Sequence, residues 1–266
     1  MKKDGFIKTS DHGKIYFTEV GTGQPIVFVH GWSSNGEHSF SHMAEALKDS
    51  ARCIYFDLRG HGHSYTYNAS SINRLTEDLH DLIIELDLHD IILVGHSLGG
   101  LLIYDYFQKY DGARVAAVTV LDMSPKVLCD TEWDHGLRIS EDPMASYMEH
   151  TMQTVTGEFM TMGGWAMKAF SNMMSAISPV PFGSVLYTLW LDMLDADFRE
   201  GAKKIDVPFV YFYTENGMYP ASTARWLRRN VKGNYKGIDL YPNNHFTMML
   251  ETEKIVSEVK ELLKQQ

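Results

Sequence analysis

Short apolar runs alternate along the chain with longer amphipathic stretches. Residues 6–9 and 15–20 predict two short opening strands joined by a turn at Asp11, His12 and Gly13. A second turn at 21–25 leads into a buried strand at 26–29. From there the pattern is strand, helix, strand, helix. Helices are expected at 40–48, 72–86 (with Ser71 as cap) and 98–109, and strands at 51–56, 91–94 and 115–121. The strand segments are short and wholly apolar, as expected of a sheet covered on both faces. Strands and helices in alternation predict an α/β fold with a mostly parallel central sheet flanked by helices.

The rhythm stops after Pro125 and returns with a strand at 207–213, a helix at 221–230, a strand at 235–241 and a closing helix at 251–264. Residues 125–201 read instead as helices interrupted by Gly163-Gly164, Pro179 and Pro181. Ten of the 15 methionines lie between Met123 and Met193. The segment is expected to be a helical cap, inserted after the sixth strand into a core formed by 1–124 and 202–266. Methionine is flexible and polarisable and suits an irregular apolar surface. Met144, Met148 and Met152 recur at helical spacing, so the cap underside can pack on the core, roof a pocket, or do both.

The most specific motif is Gly95-His96-Ser97-Leu98-Gly99, between the strand ending at 94 and the helix beginning at 98. A serine on so tight a strand-to-helix turn is the nucleophile-elbow pattern. The turn forces a strained backbone, and glycines two positions away on each side avoid collisions. The serine oxygen then stands at a helix N-terminus, where the dipole favours negative charge.

Composition narrows the partners. Thirty-four acidic against 24 basic residues give a net charge of −10, which disfavours a nucleic-acid backbone or an anionic membrane surface. Two cysteines, Cys53 and Cys129, form neither a disulfide framework nor a zinc spacing. Cys53 is expected to be a buried thiol. The first ten residues lack the apolar stretch of a secretory signal, and no apolar run is long enough to span a bilayer, so a cytoplasmic location is expected. His61-x-His63 lacks further ligands at suitable spacing, and no metal or other cofactor is expected. Asp57 and Arg59 are expected to brace loops. Asp78, Asp81, Glu85 and Asp87 read as the solvated side of a helix.

Two further motifs carry a family resemblance. The stretch from Gly21-x-Gly23-x-Pro25 through His30-Gly31-Trp32, and Asp57-Leu58-Arg59-Gly60-His61-Gly62-His63-Ser64, resemble the corresponding segments of α/β-hydrolases. With the Ser97 elbow they stand in the family's order. The resemblance covers the chain except the cap and is nearest to the cofactor-free esterase, haloperoxidase and lactonase group. It implies the α/β-hydrolase fold, with Ser97 as nucleophile and the backbone N–H groups of Trp32 and Leu98 as oxyanion hole. His30 reads as a loop-shaping residue, and the Trp32 side chain either walls the pocket or packs. His96, Met144, Met148 and Met218 are further pocket-lining candidates.

In this family the order is serine, acid, histidine. Of the 12 histidines only His245 lies beyond His150, and it follows a strand, which makes it the expected general base. The acid is less clear. The commonest family position, four residues before Pro220, holds Asn216, which cannot carry the charge. Asp122, after the strand at 115–121, is preferred because some family members carry the acid there; Glu215 is the alternative.

The expected activity is hydrolysis of a small or medium carboxylic ester through an acyl-enzyme. Lactonase, C–C hydrolase and perhydrolase reactions use the same triad and stay open. A serine at position 97 argues against epoxide hydrolases and haloalkane dehalogenases, which use aspartate. Asn216 keeps open a reading of a different class, a ligand-binding or sensor protein on a degenerate hydrolase scaffold. A small ester or related acyl compound is the expected partner, and a homodimer is open.

Overall fold

The computed structural model describes residues 2–64, 70–138, 184–215 and 217–265. Most of the methionine-rich stretch, including Met144 and Met148, lies outside the described residues, as does Asn216.

Eight strands form one sheet: β1 (Lys2–Lys8), β2 (Lys14–Gly21), β3 (Pro25–Val29), β4 (Arg52–Phe56), β5 (Ile91–His96), β6 (Val115–Leu121), β7 (Phe209–Tyr213) and β8 (Tyr235–Asp239). Their order is β1-β2-β4-β3-β5-β6-β7-β8. β2 pairs antiparallel with β1 and β4, and every other pairing is parallel. The described helices are α1 (Gly36–Leu47), α2 (Ile72–Glu85), α3 (Leu98–Tyr110), α4 (Ser184–Leu194), α5 (Arg199–Lys204), α6 (Ser222–Asn230) and α7 (Thr252–Leu263). The chain has the α/β-hydrolase fold.

Successive residues of a strand point to opposite faces, so each central strand feeds two cores. Val27, Val29, Leu93, Val118 and Val120 pack with Leu75, Leu79 and Leu82 of α2 and Leu98, Leu101 and Leu102 of α3. Ile26, Phe28, Ile92, Val94 and Ala117 pack on the other face with Phe40, Met43 and Leu47 of α1 and Ile255, Val259 and Leu262 of α7. The helical contributors recur at three- and four-residue spacing, which lays one apolar stripe of each helix on the sheet. Cys53 is buried in the second core, and burial pushes its thiol up to about 12.

Local polar contacts set the element ends. Ser71 caps α2 as expected, accepting from the Arg74 amide at 3.1 Å. α1 begins at Gly36, before the expected residue 40, because Asn35 supplies a cap by accepting from the His38 amide at 2.8 Å.

Two expectations are corrected. Asp78 is not solvated: it is fully buried and takes two hydrogen bonds from the Arg59 guanidinium, at 2.7 and 2.8 Å. Arg59 also reaches Asp11, which ties the β1–β2 turn to α2. The bridging arginine, 19 positions away, lies outside any helical spacing pattern. Residues 126–138 are not helical either. They form isolated bridges, Lys126 with Asp197 and Leu128 with Leu137. Among the described residues, no helix is long and apolar enough to cross a membrane.

Candidate active site

β5, the central strand between β3 and β6, delivers Ser97 at its carboxyl end. Ser97 has φ 53° and ψ −123°, a conformation that L-residues seldom adopt and that costs about 1–3 kcal/mol. Its amide donates to the Leu121 carbonyl of β6 at 3.1 Å, which anchors the turn. The flanking glycines are required by space. A Cβ at Gly99 would stand 2.0 Å from the Val29 carbonyl oxygen, and one at Gly95 would stand 2.6 Å from the Gly99 backbone. The helix can therefore start hard against the strand edge, which presents Ser97 at the N-terminus of α3.

Asp122 follows β6 and is fully buried, with φ 43°. Its Oδ2 accepts from His245 Nδ1 at 2.8 Å and from the Met218 backbone amide at 2.9 Å. Two donors on one carboxylate oxygen fix its position and support its charge. His245 is itself buried, on the segment after β8. Because Nδ1 donates to the carboxylate, Nε2 is left as the basic nitrogen. Glu215 is exposed beyond β7. The backbone amide of Met218, a pocket-lining candidate from the sequence, supports Asp122. A Cβ at Gly217 would come within 2.8 Å of both Asp122 oxygens, so a glycine is needed for the carboxylate to sit there. Glycine next to Met218 was the available sequence signal, and it points to Asp122 only once the loops are placed together.

Three further histidines surround this rim. His30 Nδ1 donates to the Gly31 carbonyl at 2.7 Å, and its Nε2 accepts from the Leu58 amide at 2.9 Å. His61 Nδ1 donates to the Arg59 carbonyl at 3.1 Å, and its Nε2 accepts from the Ser33 amide at 3.2 Å. Both rings thus pin loops using both nitrogens, and each has one fixed neutral tautomer. Burial lowers His30 to about 4 and His61 to about 3. His96 Nε2 donates to the His245 carbonyl at 3.0 Å, and the two rings lie 4.8 Å apart. A Cβ at Gly31 would stand 3.2 Å from Ser97 Cβ and 3.3 Å from His96 Nδ1. The loop after β3, the elbow after β5 and the His245 segment therefore converge at one edge of the sheet.

Trp32 is buried, and its Nε1 donates to the Leu186 carbonyl of α4 at 3.0 Å. Its ring lies 5.3 Å from that of Trp190. The indole thus joins the loop after β3 to α4. Ser33, the next residue, also has positive φ, at 59°. Three of the eight described non-glycine residues with positive φ, Ser33, Ser97 and Asp122, thus follow β3, β5 and β6 at this edge.

The chain belongs to the alpha/beta hydrolase family, whose model matches residues 26–258. The non-heme chloroperoxidase CPO-A1 of Kitasatospora aureofaciens is 33% identical over 125 residues, so the match spans about half of each chain: 47% of this one and 46% of that one. The pimeloyl-(acyl-carrier protein) methyl ester esterase of Vibrio cholerae is 26% identical over 93% of this chain and 97% of its own. The solved structure of an esterase (EaEST) from Exiguobacterium antarcticum superimposes with a TM-score of 0.80 at 22% identity, covering 97% of this chain and 98% of that one, a likeness of fold.

Proposed function

We propose that the chain is a serine hydrolase that cleaves small or medium carboxylic esters through an acyl-enzyme, with Ser97 as nucleophile, His245 as general base and Asp122 as acid. The supporting observation is the buried 2.8 Å contact between His245 and Asp122, held at the sheet edge that carries the Ser97 elbow. The esterase relative, similar along almost its whole length, supports the substrate class.

In this mechanism His245 Nε2 takes the Ser97 proton as the oxygen attacks the ester carbonyl. Asp122 holds the ring in the tautomer with Nδ1 protonated and stabilises the imidazolium. The negative oxygen of the tetrahedral intermediate rests on the Trp32 and Leu98 amides. Such preorganised donors are worth about 3 kcal/mol each in the transition state. The imidazolium protonates the departing alcohol. Water then attacks the acyl-enzyme, giving its proton to His245, and Ser97 is released with the acid product. No cofactor takes part. Of the segment expected to form the cap, the described helix α4 stands against the loop that carries Trp32, a placement supported by the bond from Trp32 to Leu186.

Turnover of a p-nitrophenyl ester series of increasing acyl length tests the reading. The expected result is hydrolysis that Ser97→Ala abolishes. Hydrolysis unaffected by Ser97→Ala, or none by the wild type on any ester, would overturn it.

A further inference from the structure

We propose that His96 is a positioning residue, whose imidazole clamps the His245 backbone to the nucleophile elbow and so sets the reach of the base toward Ser97. This deepens the reading above and rests on it.

His96 is the last residue of β5, where it pairs in register with Leu121 of β6. Its backbone is therefore held by the sheet. His96 is 8% exposed, which leaves little surface for a substrate. Its Nε2 stands 3.0 Å from the His245 carbonyl oxygen. A carbonyl only accepts, so Nε2 carries the proton and Nδ1 is left as an acceptor on the side of Gly31 and Ser97. The ring also lies against that of His245, at 4.8 Å between centroids and 33° between planes. One rigid side chain thus spans from the strand that carries the nucleophile to the segment that carries the base. That segment follows β8, a strand at the outer edge of the sheet, and approaches the elbow from 149 positions away in the chain.

The clamp must stay neutral, because His245 becomes a cation during turnover. Burial lowers His96 to about 3, and the neighbouring His245 ring acts in the same direction, against the opposing pull of the hydrogen bond to the His245 carbonyl. The groups facing it are His245, with Asp122 behind it, and His30, whose two nitrogens are engaged by backbone. His96 therefore adds no positive charge next to the imidazolium across the ordinary working range of pH.

A pocket-lining role and a positioning role predict different kinetics. A side chain that touches the acyl group changes KM and chain-length preference. One that places the base changes kcat for every ester alike. His96→Gln and His96→Met provide a nearly isosteric pair, of which only glutamine carries an N–H donor able to reach the His245 carbonyl. Purified full-length variants would be compared for kcat and KM on two esters of different acyl length, with thermal melts as a check on folding.

The expected result is that His96→Met lowers kcat about 10- to 100-fold on both esters with KM near wild type, the scale of a misplacement of about 1 Å. His96→Gln should recover most of that loss. Equal kcat in the two variants, or a change confined to KM, would overturn the proposal. Labelling of the wild type by a fluorophosphonate at Ser97 separates the two readings. A labelled wild type with no difference between the variants refutes the clamp alone, whereas a wild type that neither labels nor turns over refutes the parent reading and the clamp with it.

Discussion

The middle of the sheet and its carboxyl edge lie a few residues apart on the same strands, yet they are held by different physics. In the middle, Phe28, Leu93 and Val118 are fully buried among other apolar side chains. Apolar burial is non-directional and tolerates exchange of one suitable shape for another. At the edge His30, Asp57, His61, His96, Asp122 and His245 are also buried, but every one is polar. Each must meet specific donors or acceptors, since an unpaired buried polar group costs about 1–3 kcal/mol. The edge also carries positive φ at Ser33, Ser97 and Asp122. The middle stabilises the fold, and part of that stability maintains a strained, polar arrangement where chemistry can occur.

Changes at the edge should therefore remove activity while sparing the fold, and changes in the middle should do the reverse. The largest expected effect is Asp122→Asn. It keeps the shape but removes the charge that supports the imidazolium, and should lower kcat about 10⁴-fold. Glu215→Gln should stay near wild type in the same ester assay. Equal losses would end the assignment of Asp122 as the acid.

Next is Phe28→Ala, in contact with Phe40 at 5.0 Å between ring centroids. It should cost about 3–5 kcal/mol in urea unfolding, while the folded fraction keeps a kcat near wild type. A loss of kcat without a loss of stability would erase the distinction between middle and edge.

A further effect is on the pH dependence of stability. An unfolded histidine protonates near 6.5, whereas burial holds folded His30 to about 4 and His61 and His96 to about 3. Between about pH 6.5 and 4 the unfolded chain thus binds more protons than the folded one, and stability must fall as pH is lowered. Above about pH 7 all three are neutral in both states and contribute no slope. Burial raises the Asp78 carboxyl, which opposes this trend. The urea midpoint should be level from pH 7.5 to 8.5 and lower at pH 5. A midpoint unchanged at pH 5 would show that these rings are not held neutral.

The same contrast explains how much could be read from the chain. The apolar runs at 26–29, 91–94 and 115–121 mark buried strands because burial writes a periodic pattern. Boundaries shifted where a polar contact intervened, as at Asn35, whose side chain starts α1 early. Ser97 and its glycines were legible because a tight turn constrains neighbouring residues. Asp78 was misplaced because the bidentate hold of Arg59 lies far outside a helical repeat, while the partner at helical spacing, Arg74, does not by itself mark a buried carboxylate. Met218 shows the same limit: its side chain drew attention in the sequence, but its backbone amide meets Asp122, 96 positions away. A motif records constraints within one turn, and it does not record a contact between loops.

The most direct measurement is peptide mapping by mass spectrometry after brief exposure of the native chain to a fluorophosphonate. A single adduct is expected on Ser97, slowed greatly by Asp122→Asn and by His245→Ala, and lost on prior urea unfolding. An adduct on another residue, or labelling that persists at the same rate in those variants, would contradict it.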